Sequence, residues 1–339
     1  MKNILILFTL FIFSFFLHSC KQYANNQQTK RIIITGKIHN YEKENTKLFF
    51  IYSQPGTSSL QEPIKVDELG RFKYQIESSI ALDAKILEKK TFANINFIYH
   101  PGDSIHLEFE TKSKSLHLLK TVEFSGNRAE TNNQLIKFQI LRKENNLGYG
   151  AIQTSKSYKK NVIDFIAEME VLKEKQLNIY NQFIINSSPN EEVKIWTNFF
   201  ALETYYYFLD DYSFGKTNLP ENYFEYNEKI LPLTIDKLVS WQVLSSRINS
   251  YWRNNTKPKI AKQFSNKMNE IKNGKINTDS LVINYINNSY DNLHAQFLLA
   301  RYYTIQFDAN IIDGYQKNQL LLDSSINASF IKKALNKKH

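Results

Sequence analysis

Apolar and polar positions change their period near residue 126. Up to residue 124 the chain reads as short strands between turn signals. Arg31 to Ile38 is rich in β-branched residues and ends at His39-Asn40; Leu48 to Tyr52 closes on Gln54-Pro55-Gly56. Pro63 to Asp67 is a third run, and the turn Glu68-Leu69-Gly70 leads into Arg71 to Ile76. Alternation there turns Phe72, Tyr74 and Ile76 to one face, the pattern of a half-buried strand. Asn94 to Tyr99, Ile105 to Glu110 and Leu116 to Phe124 complete the series. Pro101-Gly102-Asp103 is the turn between the first two of these. Short strands at this spacing predict an antiparallel β-sandwich over residues 31–125.

From residue 126 the period is helical. Val162, Phe165, Met169, Leu172, Ile179 and Phe183 fall on one face. Ser188-Pro189-Asn190-Glu191 has the form of a capping box, with proline at the first helical position. The helix it opens carries Ile195, Phe199, Leu202, Tyr206 and Leu209, and Trp196, Phe200 and Tyr207 widen that stripe. So broad an apolar face predicts a helix central in its domain. Leu238, Trp241, Leu244, Ile248 and Tyr251 predict another; Asp291 to Asp308 and Asn327 to Lys338 predict two more. Pro220, Pro232 and Pro258 are expected breaks. The expected fold class is therefore α+β, an N-terminal antiparallel β-sandwich followed by an all-α helical bundle over 126–339.

Residues 1–19 have a different character. After Lys2, Ile4 to Leu17 is almost wholly apolar. A run of this length suits the core of a signal peptide; a membrane-spanning helix needs about 20 apolar residues. Leu17-His18-Ser19-Cys20 follows, with the only cysteine in 339 residues. This resembles the lipobox of bacterial lipoprotein precursors, although His18 stands where a small residue is usual. The resemblance implies lipidation at Cys20, removal of 1–19, and a tether over 20–30. Two or three acyl chains anchor stably where one is marginal. No acidic cluster follows Cys20, which favours a periplasm-facing protein, lipid-anchored in the outer membrane.

Composition narrows the chemistry. One cysteine excludes an intrachain disulfide, a CxxC redox pair and a four-cysteine zinc site. The net charge of +10 raises the question of nucleic acid, but the surplus is spread along the chain. Its one dense cluster, Lys332, Lys333, Lys337 and Lys338, reads as a solvated helix end. An exported protein does not meet nucleic acid, so that partner is excluded. His100, His106 and His117 near Asp103 are the nearest approach to a metal site, but His106 shares a strand side with Glu108 and Glu110 and faces outward. Glu203, beside Tyr205, Tyr206 and Tyr207, reads either as a buried acid or, more commonly for its type, as a helix-surface carboxylate or one bonded to a tyrosine hydroxyl; Asp210-Asp211 ends the same helix and adds nothing specific. No motif names a reaction, and no catalytic, cofactor-binding or metal-ligating residue is assigned.

Three segments together resemble a known family. They are Ile33-Ile34-Thr35-Gly36-Lys37-Ile38 behind the lipobox, Val66 to Phe72 with Asn96 to Ile105, and Val122-Glu123-Phe124-Ser125-Gly126-Asn127-Arg128-Ala129-Glu130-Thr131-Asn132-Asn133. The order resembles the N-terminal region of TlpA-like thiol:disulfide oxidoreductase lipoproteins. There a β-sandwich domain of unknown function, related to the AhpC/TSA-associated N-terminal domain, and a helical segment precede a thioredoxin domain. The thioredoxin domain with its WCxxC motif is not in this sequence, so the family's exchange chemistry does not carry over. The resemblance implies a non-catalytic binding or interaction module. One alternative is an accessory to, or a truncated part of, a thiol–disulfide system partnered by a separate thioredoxin-like protein. Another is a carboxylate-dependent, glycan-active enzyme.

Overall fold

The computed structural model describes residues 28–53, 59–111, 114–216, 218–229, 241–275, 277–308 and 324–337. Cys20, Pro232 and Leu238 lie outside them. The fold is α+β: two four-stranded sheets, then helices. The strands are β1 (Lys30–Ile38), β2 (Leu48–Ser53), β3 (Ser59–Ile64), β4 (Arg71–Ser78), β5 (Leu82–Glu88), β6 (Ala93–Tyr99), β7 (Ser104–Phe109) and β8 (Glu123–Gly126). One sheet has the order β4-β1-β7-β8, the other β3-β2-β5-β6. Every pairing is antiparallel except β1 with β7, which is parallel.

The sheets pack face to face. Phe50 stacks on Tyr74 across them at 4.2 Å between ring centroids, and Phe97 meets Phe124 at 5.8 Å. Gly36 sits in central β1, where a Cβ would fall 2.3 Å from the Phe72 ring and 2.5 Å from the Leu107 carbonyl oxygen. Only glycine allows that approach.

Three strand readings need correction. The third strand is not Pro63 to Asp67: β3 lies earlier, at Ser59–Ile64, and Val66 makes only an isolated bridge to Phe72. Leu116 to Phe124 is not one strand: α1 (Ser115–Leu119) precedes β8, and its apolar residues serve a helical turn. β5 was not anticipated. Its Asp83, Lys85 and Glu88 break the usual strand pattern, yet Asp83 and Glu88 are buried because the strand is central and covered on both faces. The Glu88 carboxylate accepts from Lys90 N at 2.9 Å and from Thr91 N at 2.8 Å, so its charge is met by the turn that follows.

The expected change of period falls between β8 and α2 (Ala129–Glu144). Next come α3 (Thr154–Ser157), α4 (Val162–Ser187), α5 (Glu191–Ser213) and α6 (Trp241–Tyr251). α5 is buried on most of its circumference, as a central helix requires. Its cap is Asn190, whose side chain accepts from Val193 N at 2.9 Å. Ser188 instead ends α4 in the left-handed region, which places Pro189 ahead of the cap rather than inside the helix. Pro258 does not break the chain's helical course. A π-turn over Trp252–Thr256 leads into α7 (Lys257–Gln263), and Pro258 sits in that helix's first turn. α8 (Met268–Lys272), α9 (Thr278–Ser289), α10 (Asn292–Asp308) and α11 (Ser329–Lys337) follow. One apolar core runs from the sandwich through α6, α9, α10 and α11. Among the described residues no helix is long and apolar enough to cross a membrane.

Candidate functional site

The Pro-Gly-Asp turn and the Ser-Gly-Asn segment meet in space. Asp103 Oδ2 accepts from His100 N at 2.7 Å and from Arg128 Nε at 3.0 Å. Arg128 Nη1 reaches Glu192 Oε2 at 2.8 Å, and His100 Nε2 meets Glu192 Oε1 at 2.5 Å. Asn127 Oδ1 accepts from Ser104 N at 2.8 Å. Gly126 takes φ 79°, and a Cβ there would lie 2.7 Å from Ser104 O. Burial raises the Glu192 pKa, but His100 and Arg128 outweigh it and hold the carboxyl below its usual range. The network fastens the β6–β7 turn to the start of α5. Its charged groups are bonded to one another.

The three histidines do not converge. His100 belongs to that network, and His117 is exposed on α1. His106 stands on the outer side of β7, as its strand parity requires, 2.9 Å from Thr35 Oγ1 and 3.1 Å from Glu108 Oε1. His39 reaches Glu108 Oε2 at 2.8 Å, and these two histidines lower the Glu108 pKa. Among the described residues no group of three or more His, Cys, Asp or Glu is placed to hold a metal ion.

A cavity of about 370 Å³ lies against the outer face of the β3-β2-β5-β6 sheet. Strand alternation decides its floor: Ala84, Ile86, Ile95 and Phe97 point into the sandwich, so Asp83, Lys85, Asn94 and Asn96 point out. α2 supplies Gln139, Arg142 and Lys143, spaced to share one helix face. α5 supplies Trp196, Phe200, Glu203 and Thr204, again along one face. Phe92 and Tyr149, both exposed, stand on the rim.

Arg142 is the unusual member. Its residue is 7% exposed, and burial pushes its pKa down against the opposing charge of Glu203. Nη2 donates to Leu147 O at 3.2 Å and Thr204 Oγ1 at 2.9 Å, and the guanidinium lies 4.2 Å over the Phe200 ring. Nε has no partner, and Nη1 approaches Glu203 Oε2 only to 3.9 Å. Glu203 accepts from Tyr149 at 3.3 Å rather than from its neighbouring tyrosines. Those turn elsewhere: Tyr205 donates to Glu170 at 2.6 Å, Tyr206 stacks on Tyr226 and Tyr207 packs edge-on against Tyr149. Asp83 accepts from Trp196 Nε1 and from Gln242 N, each at 3.1 Å. Sequence reasoning reached Glu203, Trp196 and Phe200 but missed Arg142 and Asp83. A carboxylate on the same helix face as two aromatic rings was the available signal.

Asp210 also departs from expectation. It forms a buried ion pair with Arg247 at 2.7 Å and accepts from Tyr226 and Ser250 hydroxyls, each at 2.5 Å. Asp211 makes a separate bond, accepting from Tyr158 at 2.7 Å.

His294 offers a pH test. Burial lowers its pKa to about 4, with Asp291 opposing, and Nε2 has no partner between the rings of Tyr251 and Tyr290. The unfolded histidine titrates near 6.5, so acid protonates the unfolded chain first. This contribution to stability is complete above that value and is lost as pH falls toward 4. Stability should drop by about 2 kcal/mol between pH 7 and pH 5, above the range where the carboxylates titrate. Urea midpoints at the two pH values measure it, and His294→Gln should flatten the difference. An equal drop in that variant would contradict the assignment.

Searches against protein families, curated proteins and solved structures return no match to this chain.

Proposed function

We propose that the chain is a lipid-anchored, periplasm-facing envelope protein that acts as a non-catalytic binding module. The cavity between the outer sheet face and helices α2 and α5 carries the reading. At about 370 Å³ it falls in the size range of small-molecule sites, and it joins aromatic walls to a few fixed polar groups. The lipobox at Leu17 to Cys20 supports the anchor, and the three sequence segments support kinship with the front half of TlpA-like lipoproteins. With one cysteine in the sequence, the chain supplies no resolving thiol for disulfide exchange.

A second reading, a carboxylate-dependent enzyme acting on glycans, has one observation in its favour: Glu203 and Asp83 line the same cavity. Against it, Asp83 is buried with both oxygens engaged by Trp196 and Gln242. An acid so held is a poor nucleophile or base.

Cys20→Ala tests the anchor. The variant should lose metabolic lipid labelling and leave the membrane fraction; unchanged membrane association places the anchor elsewhere. The purified protein should reduce insulin no faster than background. A clear rate with a separate thioredoxin-like protein added, above that protein's own, would favour the accessory role.

A further inference from the structure

We infer that the cavity binds one small organic anion with a flat apolar body, its anionic group meeting Arg142 and Lys143 and its body lying along Phe200 and Trp196. The inference rests on the binding-module reading above and assigns the class of ligand. Charge is the first ground. Arg142, Lys143 and Lys85 line the cavity against two acids, Glu203 and Asp83. Asp83 is already engaged by Trp196 Nε1 and Gln242 N. Glu203 is shared with Tyr149 and stays 3.9 Å from the guanidinium. A buried cation is costly unless a counter-charge and hydrogen bonds meet it. Arg142 is more than nine-tenths buried and has a nitrogen without any partner. It is the most deeply buried cation lining the site.

The second ground is the pairing of like charges. Lys143 donates to Ser115 Oγ at 2.7 Å, and partial burial, then the neighbouring Arg142, push its pKa down. Two cations that disfavour each other in the empty cavity both gain from one anion between them. The third ground is shape. Trp196 and Phe200 lie 4.4 Å apart between ring centroids, forming one apolar wall beside the guanidinium. The volume is at the small end for organic ligands, which suits one or two fused rings rather than a peptide or an oligosaccharide.

Calorimetric titration of the full lipidated chain in detergent, with a micelle blank, tests this with two probes. Naphthalene-2-sulfonate carries the anion; naphthalene-2-sulfonamide has the same rings and no charge at neutral pH. The sulfonate should bind one to one and at least about tenfold tighter than the sulfonamide, the worth of a charge-assisted hydrogen bond. Phe200→Ala should weaken both probes. Arg142 also supports Leu147 and Thr204, so the exposed Lys143 carries the charge test. Lys143→Gln should weaken the sulfonate several-fold and leave the sulfonamide unchanged. Equal binding of the two probes, indifferent to Lys143→Gln, overturns the anion inference and leaves a binding cavity. Binding of neither probe removes the cavity reading as well.

Discussion

Asp210→Ala lowers the stability of the protein by about 4 kcal/mol, the expected cost of leaving a buried charge without its partner. Asp210 stands near the end of α5 and Arg247 in the middle of α6, and their side chains are 13% and 5% exposed. The alanine variant strands the guanidinium over the Tyr206 ring, where Arg247 Nη1 already has no partner. It also takes an acceptor from the Tyr226 and Ser250 hydroxyls. Pairing Asp210→Leu with Arg247→Met should recover the part of the loss that comes from the unpaired guanidinium, while the Tyr226 and Ser250 hydroxyls still lack their acceptor. Urea denaturation of the single and double variants measures both effects. A single-variant loss under about 1 kcal/mol would show that water reaches and screens the pair. The consequence extends to the cavity, since α5 forms one of its walls and Gln242 of α6 bonds to its floor.

Asn132→Ala should cost a similar amount, about 4 kcal/mol, through the sheet edge. β6 is an edge strand, and alternate residues of a strand turn their backbone groups to the same side. Asn132 Oδ1 accepts from Ile98 N at 2.8 Å, and its Nδ2 donates to Ile98 O at 3.1 Å. Two turns along α2, Gln139 Oε1 accepts from Asn96 N at 3.2 Å and its Nε2 donates to Asn96 O at 3.1 Å. Asn133 serves β8 of the other sheet in the same way, at 2.8 and 3.0 Å from Phe124 N and O. One helix thus closes an open edge of each sheet with side-chain amides that imitate a strand. Removing the fully buried Asn132 orphans two backbone groups at about 1–3 kcal/mol each, and adds a small void. Hydrogen exchange at the Ile98 amide should accelerate in the variant. Asn133→Ala, at a less buried edge, should cost less. Equal and small losses at both positions would mean that water replaces the amides.

Much of the fold was legible because it depends on local period. Alternation in Arg71 to Ile76 and the helical stripe of Val162 to Phe183 announce which face is buried whatever lies opposite. β5 was not legible, because a central strand covered on both sides shows no alternation, and its buried Asp83 is satisfied by partners distant in sequence. Asp83 meets Trp196 from 113 residues away. The parallel β1–β7 pairing is likewise a matter of chain crossover rather than of residue preference. For the candidate site, helix periodicity put Trp196, Phe200 and Glu203 on one face. It could not show that Arg142 lies buried against them.

By itself the sequence determined where strands give way to helices, the single cysteine behind an apolar run, and the want of a dithiol. These follow from composition and short-range spacing. The tertiary structure alone decided that Asn132 and Asn133 are edge caps, that Asp210 is half of a buried ion pair, and that Arg142 is an incompletely paired charge beside a cavity. Each depends on desolvation and on partners brought together by packing, and residue order alone does not encode either quantity locally.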